Sequence, residues 1–315
     1  MGLVAPPRAP GLACPSIPDA NVLWVLFTVL AAAGQTARNA MQRELVAALG
    51  TVGATHVRFL FGFPFALIFL AGVLAATGLP MPQVPLAFWP WVLLGAGAQI
   101  LATALMLATM NDRSFVVTIA YIKTEAVQAA LFGLVFLGDR LTFGMAVAIL
   151  IATAGVVVMS LKGRGAAEGG LRPVLLGLAA GAMFALSAVG YRGAILSLAL
   201  PSFVLAATFT LTVGLVLQAG LLTLYLAWRG RAVLVAIVRS WRPSLFAGFM
   251  GATASEFWFL AFALTSVANV RTLALVEVLF AQAISSLVFK QATTAREAVG
   301  MALIVGGVAL LIWVQ

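Results

Sequence analysis

Two similar segments decide the fold: TEAVQAALFGLVFLGDRLT at residues 124–142 and VEVLFAQAISSLVFKQATT at residues 276–294. A shift of 152 residues places Glu125 on Glu277, each near the middle of a long apolar run. Glutamates are rare in such runs, so their common register indicates an internal repeat. The same ungapped shift aligns six more pairs: Ser114 with Ser266, Ala129 with Ala281, Thr142 with Thr294, Val147 with Val299, Gly155 with Gly307 and Val156 with Val308.

The composition indicates a membrane protein. Of the 315 residues, 63% are hydrophobic and only 9% are charged, and the mean hydropathy is +1.13. A soluble domain carries about 25% charged residues. A membrane β-barrel would show alternating segments of about ten residues, whereas the apolar runs here are continuous and about twice as long. The predicted fold class is therefore an all-α integral membrane protein.

The predicted architecture has ten transmembrane helices. Because five helices form each repeat, the second copy must enter the membrane from the opposite side, which gives two inverted five-helix repeats. The predicted organisation is a disordered tail (1–20), a first repeat (21–162), a linker (163–172) and a second repeat (173–315). The ten apolar runs lie at 21–38, 53–77, 86–109, 114–137, 141–161, 173–195, 202–227, 243–264, 267–289 and 295–314.

The two glutamate segments resemble the EamA-type members of the drug/metabolite transporter superfamily. In that family the fourth helix of a repeat often carries Glu-Pro, followed by an apolar run, a Gly-Glu-x-Leu-Thr loop and a fifth helix with a Gly-Val pair. Here the pair lies in AGVVV (154–158) and GGVAL (306–310). The resemblance covers the chain from about residue 21. It implies a ten-helix secondary transporter that exports amino acids, organic cations or related metabolites, with uptake as the alternative direction.

The sequence departs from the family pattern at four positions. Ala126 and Val278 replace the proline that follows each glutamate, so no proline kink is expected there. The loop acid is Asp139 in the first copy and Gln291 in the second. These departures leave the predicted fold unchanged. They argue against assigning to this protein the substrate of a characterised family member.

The intramembrane glutamates are the first candidates for function. A charge at the centre of a membrane helix costs roughly 2.5–3.5 kcal/mol, so it is expected to face the bundle interior or water. Glu125 and Glu277 could carry a proton or bind an ammonium group, since a buried carboxyl can exchange a proton for a cation. The alternative is an ion pair or hydrogen bond that fixes the bundle.

Three neighbours of Glu125 are further candidates. Residues two apart on a helix are about 200° apart, so Lys123 is predicted to face away from Glu125. Lys123 then pairs with another helix, with Glu256 as the candidate partner, or it binds a substrate carboxylate. Tyr121 and Gln128, at i−4 and i+3, share the face of Glu125 and are predicted to line a cavity with it.

The remaining candidates lie on other helices. Glu256 could bind a cation or an amine beside an aromatic wall, and the alternative is a salt bridge. Phe259, at i+3, lies on the side of Glu256, whereas Trp258, two residues on, is a candidate that points largely elsewhere. Arg58 could bind a carboxylate or extend its charged end to the headgroups. Arg192 and Arg271 lie near run ends and are predicted to be interfacial.

No catalytic residue, metal site or cofactor is predicted. A single cysteine (Cys14) and a single histidine (His56), the latter expected near a membrane interface, do not suffice for a thiolate or histidine metal cluster. No G-x-x-x-x-G-K-[ST] loop occurs, which argues against ATP hydrolysis. The expected partners are a small-molecule substrate, protons and lipids, and not nucleic acid. A monomer suffices, and a homodimer stays open.

The two arguments on orientation disagree. The loops after the odd-numbered helices hold eleven of the 18 Lys and Arg residues and the opposite side holds four, which places both termini outside. The family resemblance implies cytoplasmic termini. Either way, the prediction is a multi-pass protein of the bacterial inner membrane.

The predicted function is secondary active transport of a small metabolite by alternating access, with proton coupling through a glutamate as the candidate energy source. Two alternatives belong to other classes. A lipid-facing membrane enzyme would need a cavity that opens only toward lipid. A scaffold or channel subunit would have a dry core in which every buried charge is paired.

Overall fold

The computed structural model describes residues 20–112, 118, 121–160, 171–280, 282 and 294–314. All regular structure in these residues is helical. The predicted N-terminal tail with Cys14 and most of the predicted linker lie outside the described residues. The helices are α1 (Ala20–Leu60), α2 (Phe63–Thr77), α3 (Phe88–Asp112), α4 (Glu125–Phe132), α5 (Phe143–Ser160), α6 (Leu171–Ser197), α7 (Phe203–Arg229), α8 (Arg231–Arg239), α9 (Trp241–Leu264), α10 (Val267–Leu273) and α11 (Ala295–Trp313).

The protein is an all-α, multi-pass membrane protein. Six helical segments in the described part of the chain are long and apolar enough to cross a bilayer. Two shorter apolar helices accompany them, Glu125–Leu137 and Phe143–Met159. The six spans are Leu45–Thr77, Phe88–Met110, Arg172–Ser197, Phe203–Arg229, Trp241–Leu264 and Ala295–Trp313.

The N-terminal region differs from the predicted two separate helices. Helical structure continues from Ala20 to Leu60 through a kink at Gly50, whose φ of 68° favours glycine. The predicted loop between residues 38 and 53 is therefore helical. The predicted helix 53–77 is instead interrupted at residues 61–62, just before Pro64 at the start of α2. Proline suits the first turn of a helix because it has no N–H to donate.

Both glutamate helices are interrupted next to their glutamate. Residues 123–124 form a turn immediately before α4, which begins at Glu125. In the other half a short 3-10 helix, Ala274–Val276, precedes Glu277. The 152-residue shift carries the turn onto residues 275–276, so the two interruptions correspond. The Thr124 hydroxyl donates to the Tyr121 carbonyl at 2.7 Å, a local bond that competes with helical hydrogen bonding.

Small residues bring helices of the two halves together. The main helix pairs are α1 with α9, α3 with α6, and α5 with α11. A Cβ on Gly190 of α6 would lie 2.7 Å from the Gly95 backbone nitrogen of α3. A Cβ on Gly34 of α1 would lie 3.1 Å from the Cβ of Ala254 on α9. Such close backbone approach is typical of membrane helix pairs.

The contact between α5 and α11 is reciprocal under the repeat. A Cβ on Gly155 would lie 2.6 Å from the Gly300 carbonyl oxygen, and one on Gly307 would lie 2.8 Å from the Ala148 carbonyl oxygen. The 152-residue shift turns Gly155 into Gly307 and Ala148 into Gly300. Each contact therefore becomes the other when its two partners are exchanged.

Candidate functional site: a buried charged cluster

Four charged side chains from both halves meet inside the bundle. The Lys123 Nζ lies 2.5 Å from Oε2 of Glu277 and 3.9 Å from Oε1 of Glu125. The same Glu125 oxygen lies 3.6 Å from Nη1 of Arg271. None of the four side chains is more than 6% exposed. The result is a row of alternating charges that runs from Glu277 to Arg271.

An amide and two aromatic rings surround this row. Gln35 of α1 donates to Glu277 at 3.2 Å and accepts a hydrogen bond from the Trp258 indole at 3.1 Å. The Arg271 guanidinium lies 4.8 Å from the Trp258 ring centroid and 5.3 Å from that of Phe262. Planar stacking suits a guanidinium that is removed from water, because the ring faces are negative. Trp258 therefore contacts both the amide and the cation.

Two further arginines of α1 are buried beside the row and have only neutral partners. Arg38 donates through Nη2 to the Asn39 side chain at 2.8 Å. Arg58 donates to the hydroxyls of Thr103 at 3.3 Å and Ser255 at 3.5 Å. The two arginines are 1% and 2% exposed. Neither forms an ion pair with any carboxylate among the side chains that the structure describes.

Several guanidinium nitrogens lack a hydrogen-bond partner among the described atoms: Nε and Nη1 of Arg38, Nε of Arg58 and Nε of Arg271. The stems of Arg38 and Arg58 pack on α9 at Gly251, where a Cβ would lie 3.3 Å and 3.4 Å from their methylene carbons. Burying a charge without a counter-charge costs several kcal/mol. Such an arrangement is unfavourable unless another group shares the site.

Two small cavities adjoin the cluster, and each measures about 10 Å³. Arg38, Lys123 and both glutamates line the first cavity, and Arg58 and Trp258 line the second. Both cavities share three lining residues: Gln35, Phe184 and Arg271. A volume near 10 Å³ has room for about one water molecule. The described residues therefore enclose the charged groups, and neither of these two cavities has room for a metabolite in this conformation.

The cluster carries a positive excess. Four cations face two carboxylates, so the formal net charge is +2 if all six groups are ionised. The six residues are Arg38, Arg58, Lys123, Arg271, Glu125 and Glu277. Guanidinium groups are chemically suited to bind oxyanions through pairs of N–H donors.

The predicted environment of Lys123 is wrong in two respects. The helical argument that turned it away from Glu125 does not apply, because residues 123–124 form a turn. Its close partner is Glu277 and not Glu256. Glu256 accepts a hydrogen bond from the Thr208 hydroxyl at 2.5 Å and lines neither central cavity.

Three residues for which an interfacial position was predicted or left open are buried. Arg58 does not extend to the headgroups, since α1 continues past the predicted loop and keeps it among α3 and α9. Arg271 is 5% exposed and lies in the cluster. His56 is fully buried and its Nε2 lies 3.0 Å from the Thr223 hydroxyl.

Of the predicted stripe beside Glu125, only the glutamate lines a central cavity. Tyr121 packs on Gly177 of α6, where a Cβ would lie 2.6 Å from its own. Gln128 donates to the Leu178 carbonyl at 3.5 Å. Both residues therefore contact α6. The lack of a side chain at Gly177 thus permits the close packing of Tyr121 on α6.

Sequence reasoning missed three central residues. Arg38 and Arg271 stand at the ends of apolar runs, where a charge is usually interfacial, so position alone was misleading. Their burial depends on tertiary packing, because Arg38 lies within the long helix α1 and Arg271 of α10 packs against Trp258 and Phe262. Gln35 carried no signal, because an isolated amide in an apolar run has many uses.

A second ionic contact lies apart from the cluster. Arg192 of α6 donates to the backbone carbonyls of Phe262 and Thr265 at the end of α9, the first at 2.5 Å. Its Nη2 also lies 3.8 Å from Oδ1 of Asp139, in the connection before α5. This partly exposed arginine therefore links α6, the end of α9 and the connection before α5.

Within the described part of the chain, no group of three or more His, Cys, Asp and Glu side chains is placed to hold a metal. Among known proteins, no family model matches the sequence, and no curated protein matches it. Chains of solved structures do match, 28 in number. One, described only as "Crystal structure of protein", superposes on 94% of this chain and 96% of its own with a TM-score of 0.65 at 18% identity. Identity this low shows a shared fold and leaves the function to the site.

Proposed function

We propose that this protein is a secondary active transporter that moves a small metabolite across a membrane by alternating access. The observation that carries the proposal is the enclosed cluster in which Lys123 and Glu125 of the first half meet Arg271 and Glu277 of the second. Charged groups inside a membrane protein are costly and commonly mark a substrate or ion pathway.

The interrupted helices support the same proposal. Transporters with repeated halves often bind their substrate where helices are broken near the membrane midplane, because exposed backbone groups and helix ends recognise charge. Here both glutamates directly follow an interruption, at residues 123–124 and at Ala274–Val276. A site built from corresponding points of two halves can be opened by rocking one half against the other.

The proposed architecture is the ten-helix inverted repeat that the resemblance to EamA-type drug/metabolite transporters implies. The reciprocal contact of Gly155 and Gly307 between α5 and α11 supports a twofold relation between the halves. The pairing of α1 with α9 and of α3 with α6 supports it too, because a twofold axis exchanges these two pairs. We place the protein in the bacterial inner membrane on the same resemblance.

The unpaired arginines argue against the scaffold alternative. A scaffold has no need for a buried charge without a counter-charge, which lowers stability and serves no packing purpose. Neither Arg38 nor Arg58 forms an ion pair with a carboxylate among the described side chains, and the Glu277 charge that attracts Arg38 from a longer distance is already paired with Lys123. A transporter accepts this cost because its substrate supplies the missing charge during each cycle. The enzyme alternative finds no specific support in the cluster.

The test uses purified protein in liposomes that contain a pH-sensitive dye. A proton gradient is imposed and amino acids, carboxylates, amines and organic cations are added in turn. Wild type is compared with Glu125→Gln, Glu277→Gln and Glu256→Gln. Glu297→Gln is the matched control, since Glu297 lies in the capping box of α11 and glutamine can fill that role.

We expect a substrate-dependent proton flux in wild type and in the Glu297→Gln control. One of the three other variants should abolish this flux. This result would establish coupled transport and identify the coupling carboxylate. Tracer uptake without proton flux, unaffected by the three substitutions, would leave a facilitator and give the glutamates a structural role. Absence of both movements for every compound would contradict the proposal.

A further inference from the structure

We propose that the central site binds an oxyanion, a carboxylate or phosphate group of the transported metabolite, between Arg38, Arg58 and Arg271. This inference rests on the proposed function only in that the bound metabolite is transported. Binding of the oxyanion can be tested without transport. The inference departs from the substrate range that the resemblance implies, because organic cations do not suit a positive site.

The first argument is the geometry of the guanidinium groups. Arg271 lines both central cavities, Arg38 lines one and Arg58 lines the other. Each of the three has at least one nitrogen without a hydrogen-bond partner among the described atoms. A guanidinium offers its donors as a planar fork that matches the paired oxygens of a carboxylate or phosphate. The unused donors therefore have the right chemistry for an oxyanion.

The second argument is the charge balance. The two carboxylates are already engaged, Glu277 by Lys123 and Glu125 by Lys123 and Arg271. Arg58 hydrogen-bonds only to hydroxyls among the described side chains, and the negative charge that acts on Arg38 is that of Glu277, which Lys123 already engages. An incoming anion with one or two negative charges would compensate the two arginines, whereas an incoming amine would add to the repulsion. The charge of the site therefore favours anionic over cationic ligands, whatever their shape.

The third argument is what holds the arginines in place. Gly251 of α9 lies between the stems of Arg38 and Arg58, and Ser255 one turn later accepts a weak hydrogen bond from Arg58. Stacking on Trp258 and Phe262 fixes the plane of Arg271. These contacts orient the guanidinium groups and leave their charge uncompensated. A site prepared in this way loses little conformational entropy when a ligand binds.

Binding requires the cavities to enlarge, because each holds only about 10 Å³ in this conformation. The two cavities share Gln35, Phe184 and Arg271 as a common wall. Movement of Phe184 or Gln35 would join them into one space that faces all three arginines. Oxyanion binding would thus favour an open arrangement of the halves, which is the coupling that alternating access needs.

The experiment measures direct binding to the purified full-length chain in neutral detergent, by calorimetry at fixed ionic strength. The probes are succinate, butanoate, inorganic phosphate and butylamine. We expect the anions to bind, with succinate tighter than butanoate, and butylamine not to bind. Arg38→Gln and Arg58→Gln should each weaken anion binding about 10- to 100-fold, the effect of one lost hydrogen bond between charged groups. Arg172→Gln, at an exposed position on α6, is the control and should bind as wild type does.

A stability measurement separates a ligand-binding role from a structural one. Removing an uncompensated buried charge should leave the melting temperature of the ligand-free protein unchanged or higher. Succinate should then raise the melting temperature of wild type and not that of Arg58→Gln. A lower melting temperature in the ligand-free variant, with unchanged succinate affinity, would overturn the inference, as would binding of butylamine alone.

The oxyanion could come from a soluble metabolite or from a lipid headgroup, and one arm distinguishes them. Protein in nanodiscs with and without phosphatidic acid is titrated with succinate and phosphate. If phosphatidic acid leaves the binding of succinate and phosphate unchanged, the site binds a soluble metabolite. If phosphatidic acid competes with these anions, and Arg58→Gln abolishes the competition, the site binds the lipid headgroup. The liposome assay keeps the two proposals apart: anion binding without flux would refute transport alone, and flux of cations alone would refute the oxyanion site alone.

Discussion

The Lys123 ammonium lies 2.5 Å from the Glu277 carboxylate, so a charge of the first half meets a charge of the second inside the bundle. Each residue sits at or directly after a helix interruption. This pair is the shortest ionic link between the halves in the described part of the chain. Any movement that separates the halves at this point must break the pair or carry it along.

Breaking this pair from either side should be costly. We expect Lys123→Met to lower the free energy of unfolding by about 3–5 kcal/mol, because Glu277 would remain buried without its closest counter-charge. The double variant Lys123→Met/Glu277→Gln should lose less than the sum of the single losses, by roughly 1–3 kcal/mol. Unfolding in mixed micelles, followed by circular dichroism, measures all four species. Strict additivity would mean that the contact does not couple the halves.

The reciprocal glycine contact gives a second prediction. Gly155→Ala and Gly307→Ala should each destabilise the protein by about 1–3 kcal/mol, because the new methyl would lie within 3 Å of backbone atoms across the interface. Gly306→Ala, one residue away on α11, is the control and should be neutral, since no atom lies within 4 Å of its Cβ position. The same unfolding assay applies. Equal losses at 306 and 307 would contradict the close approach of α5 and α11.

The charge balance of the cluster gives a third prediction. Glu277→Gln removes a negative charge and frees Lys123, so the affinity for succinate should rise by about tenfold. Glu256→Gln is the matched control, because Glu256 contacts Thr208 and lies outside both central cavities. Its affinity for succinate should stay within about twofold of wild type. Calorimetry on the purified variants measures both, and weaker binding in Glu277→Gln would show that the carboxylate itself takes part in recognition.

The helical class and the position of Glu125 and Glu277 inside the bundle could be predicted from the sequence, because apolar run length and an isolated charge are local signals. The partner of Lys123 could not. Its prediction assumed an unbroken helix, and one turn at residues 123–124 redirects the side chain toward Glu277. Arg38 and Arg58 could not be placed either, since a charge one turn inside a run end can point outward or inward. Tertiary packing decides between these directions.

Arg192 gives the last prediction, at the end of α9. Its guanidinium donates to the carbonyls of Phe262 and Thr265 and lies 3.8 Å from Asp139. Because these bonds join α6, the end of α9 and the connection before α5, Arg192→Gln should loosen this end of the bundle. We expect amide hydrogen exchange in Val267–Leu273 to become about tenfold faster or more, as one to two charged hydrogen bonds are lost.

Arg140→Gln is the control for this measurement, because Arg140 is adjacent in sequence to Asp139 and exposed. Its exchange should equal that of wild type. Asp139→Asn should produce a smaller acceleration than Arg192→Gln, since the carbonyl contacts of Arg192 remain. Unchanged exchange in Arg192→Gln would contradict the expectation that this contact holds that end of the bundle together.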